Sequence, residues 1–351
     1  MPTQGSSEQA HSSPPVSVII RSMDKPVLAR ALDSVARQDY PNVRVIVVAA
    51  SGPSHLDLPS ACGRFPLRLV RSGKRLPRAE AANAGLDAVG DASGWITFLD
   101  DDDEFLPTQV STLQSALARQ PKYQLAYGQS VLIDAAGQAR GTYGGPFQPW
   151  KQLYCGFFQF GAMTFSAGLV AAGARFDENL DILEDLEFFV QCAQLTEFLY
   201  VPQTLSCYFA AAGDSGTGVI ASERDQPRVE RALGYIRAKW GGLKEQLDAM
   251  PQARLERAQA ALQAGDTAGA LELLLQLERD LANDVNVLNL AGVALMRDGQ
   301  PAQALARFQR ALQVLPNHAG LQDNVRLASA MLLADHASND SANPADDPVS
   351  N

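Results

Sequence analysis

Five consecutive acids, Asp100 to Glu104, follow directly on the apolar run GWITFL. Like charges this close repel one another, and three readings account for them differently. Acids just before the helix predicted by PTQVSTLQSAL gain about 0.3–1 kcal/mol each from its macrodipole, which explains one or two of the five. A solvated charge run explains the others, but not their delivery by a strand. A cation site explains that delivery: carboxylates converging at a strand end bind a hard divalent ion through oxygen, and the ion cancels their repulsion. Such an ion commonly bridges the phosphates of a nucleotide. A second acidic pair, Glu184 and Asp185, opens LEFFVQCAQL, where both residues suit the first turn of a helix as caps.

The elements that must carry these acids alternate in type. VSVIIR, Val16 to Arg21, is too apolar for a strand with one wet face and reads as a central strand of a covered parallel sheet. Pro26 then suits a helix start, with Leu28, Leu32 and Val35 on one face. VRVIVVAA is a second strand, FPLRLV a third, RAEAANAGLDAV a helix and GWITFL a fourth strand. This order implies right-handed crossovers and helices on both sheet faces. Ligands of such sheets sit at the carboxyl ends of the strands, where the acidic run lies.

Bulk properties exclude several classes. A net charge of −10 and a pI near 4.9 argue against a nucleic-acid-binding chain. No apolar run approaches the ~20 residues of a membrane span, and MPTQGSSEQAHSSPP lacks the basic region and apolar core of a secretory signal. Cys62, Cys155, Cys192 and Cys207 have no metal-site spacing and read as reduced, partly buried thiols. Neither RSMDK nor RSGKRLPR has Walker spacing, which disfavours a phosphate-transferring enzyme.

Four segments, in order, resemble the family-two glycosyltransferases of the A-type fold over roughly residues 15–215. VSVIIRSMDKP is similar to the family's VSVIIPTYNR, and LDSVARQDYPNVRVIVV to its LxSvlxQtyp segment. EAANAGLDAVGDASGWITFLDDDDEFLP resembles its AARNxGl and FLDxDDxxxP block, and GARFDENLDILEDLEFFVQCA its GgFDExlxxxEDxdlxlR block. The resemblance implies that Ser22 and Asp24 lie in the nucleotide-contacting turn. It places Asp100 and Asp101 near the ribose and Asp102 on the metal, Mn2+ or Mg2+. It puts the catalytic pair at Glu184 and Asp185, with Asp185 as the base. Three departures bear on the donor. The DDGS acid is replaced within AASG, Ala49 to Gly52. The AARN arginine is Ala82. CYFAAAGDSGTG lacks the family's Arg and His. Arg78 and His55 are candidate substitutes, although His55 reads better as an exposed loop residue.

From about residue 225 the chain is helix after helix. Ala260, Gly265, Ala270 and Leu271 recur at Ala294, Gly299, Ala304 and Leu305, a period of 34. This resembles the tetratricopeptide repeat. Leu288, Gly292, Leu295, Ala304, Phe308, Ala311 and Pro316 fall on its signature in the second copy, while Ala258 and Leu274 depart from it in the first.

The expected domains are a disordered N-terminus (1–14), a mainly parallel A-type α/β domain (15–222), a connecting helix (223–250), repeats with a capping helix (251–334) and a disordered tail (335–351). The expected activity is inverting, metal-dependent transfer of a sugar from a nucleotide-sugar to a glycan, lipid-linked or protein acceptor, as in cell-surface polysaccharide synthesis. The expected location is cytoplasmic, with peripheral attachment at the inner membrane face as an option, and the repeats would bind a protein partner or self-associate. The rival reading is a binding scaffold built on an inactive transferase fold. Aromatics between Trp150 and Phe160 read as core or lid in preference to sugar platforms.

Overall fold

The apolar run Val16–Ser22 is strand β1, buried along its whole length. Successive side chains point to opposite faces. Val16, Val18 and Ile20 therefore pack with Leu28, Ala31 and Val35 of α1 (Leu28–Ala36), while Ile19 packs with Ala79, Ala82 and Leu86 of α2 (Arg78–Val89). Both faces are covered, which is why the strand alternates in orientation but not in polarity. The structure, a computed structural model, describes residues 13–90, 94–154, 156–209 and 225–341. It divides into two units, 1–241 and 242–351.

In the first unit β2 (Val43–Ala49), β4 (Phe65–Val70) and β5 (Trp95–Asp100) join β1 in the parallel order β4-β2-β1-β5, with β3 (Ala61–Cys62) antiparallel at the edge. Beyond β5 the sheet continues through strands the motifs do not announce. The two-residue β6 (Glu104–Phe105) and helix α3 (Gln109–Arg119) lead to β7 (Leu125–Ile133) and its hairpin partner β8 (Ala139–Tyr143). Strand β9 (Met163–Ser166) runs antiparallel between β5 and β7. Helices α4 (Ala167–Ala171) and α5 (Glu184–Leu195) precede β10 (Phe198–Phe209), which pairs in parallel with β7 over the longest register beyond β5. The antiparallel pairings are short, so the sheet is mixed and mostly parallel, as expected of an A-type transferase fold.

Two residues of the AANAG stretch are fixed by packing. A Cβ on Gly85 would lie 2.4 Å from Ile19 Cγ2, so glycine lets α2 close on β1. Asn83 brackets one peptide unit: its Oδ1 accepts from Phe176 N at 3.0 Å and its Nδ2 donates to Phe176 O at 3.0 Å. This ties α2 to the chain leading into α5.

Helix α6 (Gln226–Lys239) falls in the segment expected to be the connecting helix, 223–250. It lies within the first unit, which ends at Gly241. The second unit comprises α7 (Gly241–Ala249), α8 (Pro251–Ala264), α9 (Thr267–Asp280), α10 (Val285–Arg297), α11 (Pro301–Val314) and α12 (Ala319–Ser341). The last helix passes residue 334, where the tail was expected to begin, because no glycine or proline interrupts the chain between Gly320 and Pro344.

The 34-residue period is a pair of helical hairpins, α8–α9 and α10–α11. Gly265 and Gly299 close the first helix of each at positive φ, 86° and 74°. The departures in the first copy are correlated. A Cβ on Gly292 would meet the Phe308 ring at 2.3 Å, and that ring is 1% exposed with no room to yield. In the first hairpin leucine replaces the ring at Leu274, and Ala258 fits. Gly292→Ala gains roughly 0.5–1 kcal/mol in helix propensity but should lose about 1–3 kcal/mol to overpacking. The net expectation is a lower urea midpoint. Adding Phe308→Leu, which copies the first hairpin, should recover part of it. A Gly292→Ala midpoint at or above wild type contradicts this account.

Candidate functional site

The acidic run resolves into five separate environments. Asp100 ends β5 directly beside Arg21 of β1 in the parallel register. Arg21 Nη2 donates to Asp100 Oδ1 at 2.6 Å, and Nη1 donates to Glu184 Oε1 at 2.6 Å. The guanidinium carbon lies over the Phe160 ring, 4.9 Å from its centroid. Asp101 accepts from Met23 N at 2.7 Å, and Asp103 from Phe209 N at 2.9 Å. Glu104 faces Arg30 at 3.1 Å and Arg37 at 3.6 Å, which accounts for it without a ligand. Asp102 has Lys25 Nζ at 3.9 Å from its Oδ2.

Asp100, Asp101 and Asp102 line one cavity of about 870 Å³, together with Arg21, Glu184 and Asp185. It opens at the carboxyl ends of β1 and β5, as the topology requires. Burial opposes the charge of Arg21, but Asp100 and Glu184 outweigh it and raise its pKa. Burial pushes Asp100 upward, yet Arg21, with Arg78 and Lys25, holds it below the usual range. Burial pushes Asp102 up to about 6, with the charges of Asp100 and Asp101 adding to it.

Helix α5 brings the second acidic pair. Leu183, just before it, has φ 58°, a strained conformation for leucine that sets the angle at which the helix starts. Glu184 is 2% exposed and turns to Arg21. Asp185 is half-buried and accepts from Leu186 N at 2.8 Å, a local cap bond. Burial, then the Glu184 charge, pushes its pKa up to about 6. A carboxylate poised near neutrality in a cavity is suited to general-base work.

Ser22 and Asp24 are not among the cavity-lining residues. Ser22 Oγ accepts from Asp24 N at 3.0 Å, and Asp24, at φ 62°, accepts from Leu56 N. They shape the turn that presents Met23 and Lys25 to the cavity. His55 is 3% exposed, contrary to the exposed loop expected. Its Nε2 is 2.9 Å from Ser22 Oγ, so it buttresses that turn and does not line the cavity. Arg78 does line it, beside Arg75. Phe158 and Phe160 are both core and cavity wall. Cys155 and the stretch following β10, residues 210–224, lie outside the described residues.

Arg21 is the residue the motif reading passes over, since VSVIIPTYNR has proline there. The available signal was a charge inside an otherwise apolar buried strand. The grip of α6 was also not legible. Lys239 Nζ reaches Asp177 at 2.6 Å and Glu187 at 2.9 Å, and Trp240 Nε1 donates to Glu187 at 3.0 Å. Glu187 is fully buried on the helix that carries Asp185. Removing α6 strips a buried carboxylate of its cation, which costs on the order of 3–5 kcal/mol. A chain ending at 241 should therefore unfold in urea as the first unit does in the full chain. One ending at 222 should be destabilised or insoluble, and equal midpoints for the two would contradict the role given to α6.

Among the described residues no three His, Cys, Asp or Glu side chains form a metal cluster. A hard divalent cation is nonetheless compatible with the donor set. Asp102 offers one carboxylate to the cavity, and Mg2+-type ions are commonly held by one or two carboxylates plus substrate phosphates and water.

Residues 17–161 match the family model described as Glycosyl transferase family 2. That segment holds β1 to β5, the acidic run and part of the cavity wall, so the first unit carries a glycosyltransferase domain. No curated protein matches the chain. Among solved structures, the chain aligns with S. aureus TarS at 12% identity and a TM-score of 0.49, covering 90% of this chain and 54% of that one. It aligns with S. aureus TarS 1–349 in complex with UDP-GlcNAc at 12% identity and a TM-score of 0.46, covering 87% and 93%. It aligns with the mannosyltransferase PcManGT from Pyrobaculum calidifontis, in complex with GDP-Man and Mn2+, at 19% identity and a TM-score of 0.46, covering 86% and 88%. The chain thus spans about half of the longer TarS chain.

Proposed function

We propose that the protein is an inverting, metal-dependent transferase that moves a sugar from a nucleotide-sugar donor to an acceptor hydroxyl. The observation that carries this reading is the convergence on one cavity of Asp102 from a strand end and Asp185 from a helix start, with Arg21 tying their neighbours Asp100 and Glu184 together.

Asp185 takes the proton from the acceptor hydroxyl, whose oxygen attacks the anomeric carbon. The bond to the diphosphate breaks on the opposite face, and its electron pair leaves with the phosphate oxygen. One displacement of this kind inverts the centre. Charge developing on the leaving group meets Lys25, Arg75 and Arg78 on the cavity wall. Asp102 would hold the Mn2+ or Mg2+ ion, which supplies further positive charge to the diphosphate when bound. Asp100 and Asp101 lie on the ribose side, and Ser22 and Asp24 act through the turn they shape. The cavity wall at the end of β2 is Ala50, in place of an acid, so the nucleobase is contacted differently from the family pattern.

The acceptor, a glycan, a lipid-linked sugar or a protein, enters past Tyr154, Phe158 and the α6 residues Val229 and Leu233. The hairpins of the second unit, read as tetratricopeptide repeats, recruit a protein partner or a second copy. The proposed place of action is the cytoplasm or the inner face of the membrane; no helix among the described residues is long and apolar enough to cross a membrane. Melting curves with manganese and a panel of nucleoside diphosphates test the reading, since a ligand of the native state raises the midpoint by mass action. A manganese-dependent rise with at least one nucleotide is expected. No rise with any of them contradicts it.

A further inference from the structure

Arg21 answers a question the proposed reaction leaves open: what holds two motifs from distant parts of the chain in register. Asp100 lies 79 residues from Arg21 in sequence and Glu184 lies 163 residues away, yet one guanidinium bonds both at 2.6 Å. Arg21 is 9% exposed and Glu184 2%. For stability alone such an assembly is not needed, because apolar side chains of similar volume commonly replace buried ion networks at no loss. What an apolar residue cannot do is fix the directions of two carboxylates. The planar fork does so, since its donors diverge at set angles and its charge is always present. The neighbours in sequence of the two bound acids are the groups that face the reaction. Asp102 lies two residues beyond Asp100, and Asp185 directly follows Glu184.

We infer that Arg21 is a positioning residue, which clamps the donor-side strand end at Asp100 to the base-bearing helix start at Glu184 and so sets the distance between bound donor and base. The inference rests on the proposed transferase reading. Donor engagement at Asp100 and base placement at Asp185 are then one mechanical unit, joined through a single side chain. The guanidinium carbon also lies over the Phe160 ring, 4.9 Å from its centroid, a further contact that favours one setting of the fork.

The test uses the full chain and reads diphosphate released from a hydrolysable sugar-nucleotide, with manganese present. Arg21→Ala should lower kcat at saturating donor by ~10²-fold, the cost of a misplacement of about 1 Å. Arg21→Lys should be nearly as poor, because the shorter side chain with a single nitrogen cannot hold the two acids in the separate directions that Nη1 and Nη2 now give them. Millimolar guanidinium should restore Arg21→Ala severalfold, whereas tetramethylammonium at equal concentration should not. Should Arg21→Ala fail to fold, Glu184→Ala severs one arm only. It should lower kcat while leaving nucleoside diphosphate affinity, by calorimetry, unchanged. A wild-type kcat in Arg21→Lys or in Glu184→Ala overturns the inference and leaves the transferase reading standing. So does a soluble Arg21→Ala whose loss guanidinium does not relieve. Wild-type protein that releases no diphosphate from any donor overturns the transferase reading, and the inference falls with it.

Discussion

Asp185→Asn is expected to keep donor affinity and lose ~10²–10⁴-fold in transfer, the usual contribution of a general base. The substitution preserves shape, and the amide oxygen can still accept from Leu186 N, which Asp185 Oδ1 now does at 2.8 Å. The helix start therefore survives and only the proton acceptor is lost. The pH profile gives a second reading of the same residue. Burial and Glu184 push Asp185 up to about 6. The reactive form is the carboxylate, so the rate should fall as the pH drops through that value and be level above it. At saturating manganese, which favours the ionised form of Asp102, Asp185→Asn should lack this acid limb in its residual activity. A variant that transfers at near the native rate would leave Asp185 as a helix cap only.

Asp102→Ala is expected to abolish the metal-dependent part of nucleotide binding in a protein that is fully folded. The folding half of the expectation follows from sign. A carboxyl whose folded pKa is raised, here by burial and by Asp100 and Asp101, costs folding stability where it is ionised, as at neutral pH. Removing it relieves repulsion, so the melting temperature without metal should not fall. The binding half follows from partners. Asp103 and Glu104 do not line the cavity, and Asp100 and Asp101 are already oriented by Arg21 and by Met23 N, so Asp102 is the acid whose loss the cavity replaces least well. Calorimetry showing unchanged manganese-dependent affinity in Asp102→Ala would remove the metal assignment.

The legible parts of this molecule were those written in local pattern. VSVIIR, VRVIVVAA and GWITFL are strands because apolar runs of that length can be buried on both faces, and each begins where its first apolar residue stands. The acid motifs were legible because charge at a strand end is locally costly. Ion pairs across long separations left no such trace. Arg21 lay unremarked in its strand, and the clasp of Lys239 and Trp240 on Glu187 made α6 look like a linker, since no short-range pattern links the two helices. His55 misled for the same reason: a histidine in a polar loop reads as exposed until the turn at Ser22 folds over it. The antiparallel strand β9 was hidden because its four residues, MTFS, are too short a run to stand out beside the aromatics before it.

The central claim is catalytic use of the shared cavity, and release of diphosphate from a panel of sugar-nucleotides, with and without manganese, tests it most directly. The account predicts manganese-dependent release from at least one donor by the wild-type chain, lost in both Asp102→Ala and Asp185→Asn. Release that persists in Asp185→Asn at the wild-type rate, or no release from any donor, would contradict it.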